Sequence, residues 1–298
     1  MRDTFSNKLV NLAQSDSRLL LLTGDHGYGL FNSLREEKPH QFINMGIAEQ
    51  NMVGVAAGLS RVGFKPIVYG LSAFIPIRVL EQIKLDVCHD NLPVIFIGDG
   101  AGFVYSHLGT SHQSTEDIAV TRAIPNLVVL SPGDRFELAR CIDIAYDLNS
   151  PVYLRLGKAD RGDVHNQNLS FNLGDLIYLK EPNTESTLVT MIATGSMLKM
   201  ATLLCDIFPS LGLVSAPSLK PINNLHITDL CIKNDIIITL EEHSIFGGLG
   251  SIISDIAATL SDIKVKKLGI QDRFSEHCGS YEYLLSEHKI DFESLKAE

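Results

Sequence analysis

Glu49 is the one carboxylate in Asn44-Met-Gly-Ile-Ala-Glu-Gln-Asn-Met52, and it stands where the small, apolar run Val53-Gly-Val-Ala-Ala-Gly-Leu59 begins. An acid in a first helical turn is ordinarily solvated and favoured by the macrodipole, the plain structural reading. The chemical reading is that apolar neighbours raise its pKa by desolvation, so that it can share a proton with a ligand's basic nitrogen. Phe74 follows an apolar strand and the turn Gly70-Leu-Ser72, so its ring is either core or a stacking face. Arg78, one turn further along the expected helix, suits the positioning of a loop or an interface. In Gly109-Thr-Ser-His-Gln-Ser-Thr-Glu-Asp117, His112 can hydrogen-bond a carbonyl or hydroxyl. His107, His112 and Glu116 are a conceivable ligand set, but two histidines five apart across a glycine loop match no metal spacing, and no metal is assigned to this chain. Lys158, closing Leu154-Arg-Leu-Gly-Lys158, can hold an anion as a point charge or simply be solvated.

The elements that must position these groups alternate along the chain. Strands are expected near 18–22, 66–69, 94–98, 127–130 and 152–154, with helices near 4–13, 49–62, 73–89 and 135–146. This is the pattern of parallel α/β layers. Runs such as Val94-Ile-Phe-Ile-Gly98 lack alternation because both faces of a parallel strand are buried. A polar, Asn/Gly/Asp-rich stretch follows, and a second series has strands near 188–195, 236–242 and 265–268 and helices near 197–207 and 247–260. The expected organisation is a doubly wound, mostly parallel domain over 1–160, a connection over 161–185 and a smaller α/β domain over 186–298. Strands end at Gly24-Asp25, Gly98-Asp99, Ser131-Pro-Gly-Asp134 and Thr194-Gly-Ser196, and open parallel sheets bind ligands at such ends.

Bulk properties exclude several classes. The 298 residues suit two domains, and 45% hydrophobic with 20% charged residues suits packed cores. Twenty-five Lys and Arg against 35 Asp and Glu give a net charge of −10, which disfavours nucleic acid. No apolar run approaches the roughly 20 residues of a membrane span, and the N-terminal residues lack a signal peptide's apolar stretch. A cytoplasmic protein without a membrane association is expected. The five cysteines are widely spaced with no CxxC, the pattern of buried thiols. Nucleophile-elbow, HExxH and phosphate-loop motifs are absent.

The Gly46-to-Met52 segment resembles the pyrimidine-binding domain of thiamine-diphosphate enzymes of the transketolase group. Phe74 to Val87, Gly109 to Asp117, Arg122-Ala-Ile-Pro-Asn126, Ser218-Leu-Lys-Pro221 and Glu241 to Ser251 fit the same resemblance in order, covering nearly the whole chain. The resemblance implies that Glu49 meets the aminopyrimidine as a general acid and that Phe74 packs on its ring. Asp25 and Arg78 are further cofactor contacts, and His107, Leu108, His112 and Lys158 face the substrate. Related enzymes carry an aspartate at Leu108 and an arginine at Lys158, which points to an atypical sugar and weakens the expectation of a phosphate group on it. Gly98-Asp-Gly100 and Asn126 mimic the signature that holds magnesium diphosphate, yet the loop carrying His112 lies between them. The resemblance therefore leaves the diphosphate site and magnesium to an N-terminal partner subunit, in an α2β2 heterotetramer acting on sugars or sugar phosphates. Related alternatives are deoxyxylulose-phosphate synthesis and the beta subunit of a 2-oxoacid dehydrogenase. A non-catalytic interaction module is the alternative of another class.

Overall fold

The computed structural model describes residues 1–27, 29–158, 161–184, 186–260 and 263–298. Its apolar runs are parallel strands that send alternate side chains into two covered layers. β1 (Leu19–Thr23), β2 (Phe42–Asn44), β3 (Lys65–Leu71), β4 (Ile95–Asp99), β5 (Val128–Leu130) and β6 (Val152–Leu156) lie in the order β5-β6-β4-β3-β1-β2, paired in parallel. Leu20 and Leu22 of β1 join Val68, Phe96 and Tyr153 in one core, while Leu19 and Leu21 join Ile67, Ile95 and Leu154 in the other. The helices Arg2–Ser15, Glu49–Arg61 and Arg135–Asp147 cover these faces within a residue or two of expectation.

β7 (Ile177–Lys180), β8 (Val189–Ala193), β9 (Gly212–Ser215), β10 (Ser218–Lys220), β11 (Ile236–Ser244) and β12 (Lys264–Ile270) follow. Five of them form a second sheet, β12-β11-β8-β9-β7, parallel except for β7 against β9. β10 instead pairs antiparallel with β5, so the second half of the chain closes an edge of the first sheet. Among the described residues no helix is long and apolar enough to cross a membrane.

Two expectations need correction. The helix expected over 73–89 is a turn through 72–76, a 3-10 turn Ile77–Val79, one α turn Leu80–Gln82 and a π-helical Ile83–Cys88. Pro76 lacks an N–H and keeps Ile75 out of the α region, which leaves Phe74 in a turn. Residues 177–180, inside the expected connection, form β7. The boundary positions 160 and 185 lie outside the described residues.

Several ionisable groups are buried, and one of them, Glu137, reaches the second sheet. Glu137 accepts from Gly133 N and from Ser215 Oγ of β9, each at 2.6 Å, and burial pushes its pKa up to about 7. Burial does the same to Glu241, again to about 7, against the pull of the Gly250 and Leu249 amides. His165 is opposed by burial but raised overall by its hydrogen bond to Asp134 and the charge of Glu137. All three bind protons more tightly folded than unfolded, so the stability they confer is present at lower pH and lost as pH rises through about 7. Burial lowers His243 to about 4 and lowers His288, and these act in the opposite sense, mainly below their ordinary 6.5. The urea midpoint is therefore expected to fall between pH 6.5 and 8 by the equivalent of about 1–2 kcal/mol at constant m. A midpoint that rose across this window would show Glu137 and Glu241 already ionised in the folded chain.

Candidate active site

β1 and β3 are neighbours, yet the chain leaves β1 toward β2 on one side and β3 toward β4 on the other. The turns beyond their carboxyl ends diverge and open a crevice, the ligand position of open parallel sheets. This cleft, about 220 Å³, is lined by Gly24, Asp25 and His26 after β1, by Ile47, Glu49 and Met52, by Tyr69, Gly70, Leu71 and Phe74, and by His112. The turn before Glu49 packs closely on the end of β1. A Cβ at Gly24 would stand 2.8 Å from the Gly46 carbonyl oxygen, which excludes a side chain there.

Glu49 opens the helix Glu49–Arg61, its side chain 14% exposed, and accepts a hydrogen bond from Arg78 Nη1 at 3.1 Å. Beside the apolar neighbours expected for this acid stands a guanidinium. The carbon of that guanidinium lies 4.0 Å from the centre of the Phe74 ring, a cation–π contact. The His112 ring meets Phe74 edge-on at 5.3 Å, and its Nδ1 lies 3.0 Å from Ser111 Oγ. Glu49, Phe74, Arg78 and His112 therefore form one contiguous group, and Asp25 lines the same cleft.

His107, Leu108 and Lys158 are not among the lining residues. His107 and Leu108 are exposed on the turn Ser106–Leu108, and Lys158 lines a separate hollow with Met1, Gly133 and Arg135, its Nζ 5.3 Å from the Tyr281 ring centre. Asp99 and Asn126, which mimic a magnesium signature, are each engaged elsewhere. Asp99 Oδ2 bonds Arg2 at 3.1 Å, His26 at 3.1 Å and Tyr105 at 3.0 Å, while Asn126 Nδ2 donates to Cys88 O. Burial acts to raise Asp99, and the hydrogen bond with His26 and the charge of Arg2 override it, holding the carboxyl below its ordinary range.

Sequence reasoning missed His26, which lines the cleft beside Tyr69, and Tyr105 and Arg2, which share the Asp99 carboxylate with it. His26 stacks on Tyr69 at 5.6 Å and 12°, and Tyr105 meets His26 edge-on at 5.8 Å. His26 follows directly on the Gly24-Asp25 turn, so position alone marks it. Arg2 reaches Asp99 from 97 residues away and carries no local signal.

The chain matches the transketolase pyrimidine binding domain over residues 1–162 and the transketolase C-terminal domain over residues 181–295. It is 33% identical to one of the subunits of the apulose-4-phosphate transketolase of Phocaeicola vulgatus, over 99% of this chain and 94% of that one. The 6-deoxy-6-sulfo-D-fructose transketolase subunit SqwH of a Clostridium species is 30% identical, over 95% and 88%. A 1-deoxy-D-xylulose-5-phosphate synthase of Desulforudis audaxviator is 33% identical, but the match covers 44% of its length. A solved split gene transketolase, described as an inactive beta4 tetramer, superposes with a TM-score of 0.88 at 31% identity, covering 99% of this chain and 95% of the other. The chain belongs to the transketolase family, as a split-transketolase subunit that carries the pyrimidine-binding and C-terminal domains.

Proposed function

We propose that this subunit and an N-terminal partner build a thiamine-diphosphate site between them, in a cytoplasmic α2β2 assembly that moves a two-carbon ketol unit between sugars. The observation that carries this reading is the convergence of Glu49, Phe74 and His112 on one cleft. The residues fit the aminopyrimidine half of the cofactor: one carboxyl, one aromatic face and the aliphatic side chains of Ile47, Met52 and Leu71. Among the described residues no group of three or more His, Cys, Asp or Glu side chains is placed to hold a metal ion, and magnesium and the diphosphate contacts are proposed for the partner.

When bound, thiamine diphosphate supplies the electron sink for a two-carbon carbanion. Glu49 holds the proton at the pyrimidine nitrogen as general acid. Phe74 packs on the ring, Arg78 orients the Glu49 carboxyl, and Asp25 adds a polar contact at the end of β1. His112 hydrogen-bonds the sugar, with His107 and Leu108 beside it on the same loop. Lys158, set against Tyr281, meets an anionic group of the substrate once the partner is docked. Two relatives act by name on apulose 4-phosphate and on 6-deoxy-6-sulfo-D-fructose, which supports an atypical sugar here as well. The equal identity to a deoxyxylulose-phosphate synthase supports the second reading, decarboxylative condensation of pyruvate with an aldose phosphate, with carbon dioxide as the leaving group. Consumption of pyruvate in place of a ketose donor would identify it. A non-catalytic module is disfavoured, because such a module has no need to keep these three side chains together.

Calorimetric titration tests the two-polypeptide site. The purified chain is expected to bind thiamine diphosphate with magnesium weakly or not at all, and the complex with the N-terminal subunit to bind it tightly. The interface between the chains should exceed about 2,000 Å². Tight, magnesium-dependent binding by the lone chain would overturn the reading.

A further inference from the structure

Glu242 lies on β11 in the second half of the chain, 1% exposed, and does not line the cleft. Its carboxylate is nevertheless directed at the loop that carries His112. Oε1 accepts from Phe103 N at 2.6 Å, and Oε2 accepts from Ser196 Oγ and Tyr281 Oη. Phe103 opens a loop closed at its base, where Gly102 and Ser114 exchange backbone hydrogen bonds of 2.8 and 3.1 Å. His107, Leu108 and His112 all lie between these two residues.

The loop is held at further points, most of them in the second half of the chain. The Phe103 side chain sits in the core formed by Met191, Met197, Leu240 and Tyr281. Ser275 Oγ bonds Gln113 Oε1 at 3.0 Å, just beyond His112. Arg155 donates to Glu242 O and to Asp117 Oδ2, each at 2.8 Å, which ties both ends of the device to β6. Gly102 makes the approach possible: at φ 69, a Cβ there would lie 2.2 Å from Glu242 Oε1.

We propose that Glu242 is a positioning residue, through which the C-terminal domain fixes the loop 102–114 and so aims His112 at the substrate. Hydrogen bonds to a buried carboxylate are about twice as strong as neutral ones, so this anchor is firm. Displacing a substrate-contacting group by about 1 Å costs on the order of 10²-fold in rate. Glu242 makes no contact with Glu49, so the effect should fall on sugar handling while the cofactor chemistry at Glu49 is spared. The kinetic part rests on the role proposed above for His112.

The test uses Glu242→Gln, Tyr281→Phe, His112→Ala and the Glu242→Gln/His112→Ala double variant in the complex with the N-terminal subunit. Hydroxypyruvate serves as two-carbon donor, and thiazolium proton exchange is followed separately by NMR. Glu242→Gln is expected to lower donor kcat/KM about 30- to 100-fold while exchange stays within about twofold of wild type. In the His112→Ala background it should cost less than about threefold more, the non-additivity of groups that act as a unit. In the lone chain, hydrogen exchange of the 103–114 amides should rise, with the helix Glu49–Arg61 unchanged. Unaltered loop protection, or full multiplication of the two single effects, would overturn the proposal. If His112→Ala leaves turnover intact while the loop opens in Glu242→Gln, the positioning stands and the role of His112 fails. Should Glu242→Gln not fold, Tyr281→Phe removes one of the three donors with little change of shape and carries the same comparisons.

Discussion

Glu49→Gln, assembled with the N-terminal subunit, is expected to lose turnover by about 10²- to 10⁴-fold while the chain folds normally. The amide has the shape of the carboxyl, and its oxygen can still accept from Arg78 Nη1, which now lies 3.1 Å away. It cannot hold or deliver the proton, and loss of a general acid typically costs that much. The folding cost is small because the ion pair is only partly buried, with Arg78 41% exposed, and such pairs contribute about 0–1 kcal/mol. The helix start keeps its Met52 N to Ala48 O hydrogen bond in either case. Thiazolium proton exchange on the assembled variant checks the assignment. Exchange at the wild-type rate would remove Glu49 from the chemistry, whatever happened to turnover.

The legible features share a physical cause. Strands such as β1 and β4 are covered on both faces, so their unbroken apolar runs stand out against the amphipathic helices between them. Glu49 was legible for the converse reason, as one carboxyl ahead of an apolar run. β2, β7 and β10 were not, because strands of three or four residues at sheet edges leave too short a pattern and draw their stability from the strand they pair with. Long-range polar partners were hidden more completely. Arg78 reaches Glu49 across 29 residues, His26 reaches Asp99 across 73, and Glu242 reaches Phe103 across 139. No spacing rule connects such pairs, since the fold alone brings them together. Asp99 shows the hazard: its Gly-Asp-Gly setting mimics a metal signature, whereas its carboxyl is spent on an arginine, a histidine and a tyrosine.

Substrate choice is expected to turn on Leu108. It stands four residues before His112, 47% exposed at the end of the turn Ser106–Leu108, where Gly109 at φ 81 redirects the chain. The resemblance to transketolases and deoxyxylulose-phosphate synthases places an aspartate here that helps recognise a sugar hydroxyl. A leucine accepts no hydrogen bond, so a hydroxyl buried against it in the assembled site loses a partner, at a cost of about 1–3 kcal/mol. That cost corresponds to roughly 5- to 150-fold in affinity. Leu108→Asp should leave the fold intact, because the loop is anchored by the Gly102–Ser114 bridge and the Glu242 carboxylate and not by this exposed side chain. With xylulose 5-phosphate as donor and ribose 5-phosphate as acceptor, the wild-type complex is expected to turn over poorly and Leu108→Asp to gain within that range. A panel of deoxy and otherwise modified ketoses run alongside should show the reverse order, with wild type ahead, because an aspartate facing an apolar substituent is desolvated without compensation. Efficient wild-type use of xylulose 5-phosphate, unimproved by the aspartate, would show that Leu108 does not govern the choice of sugar.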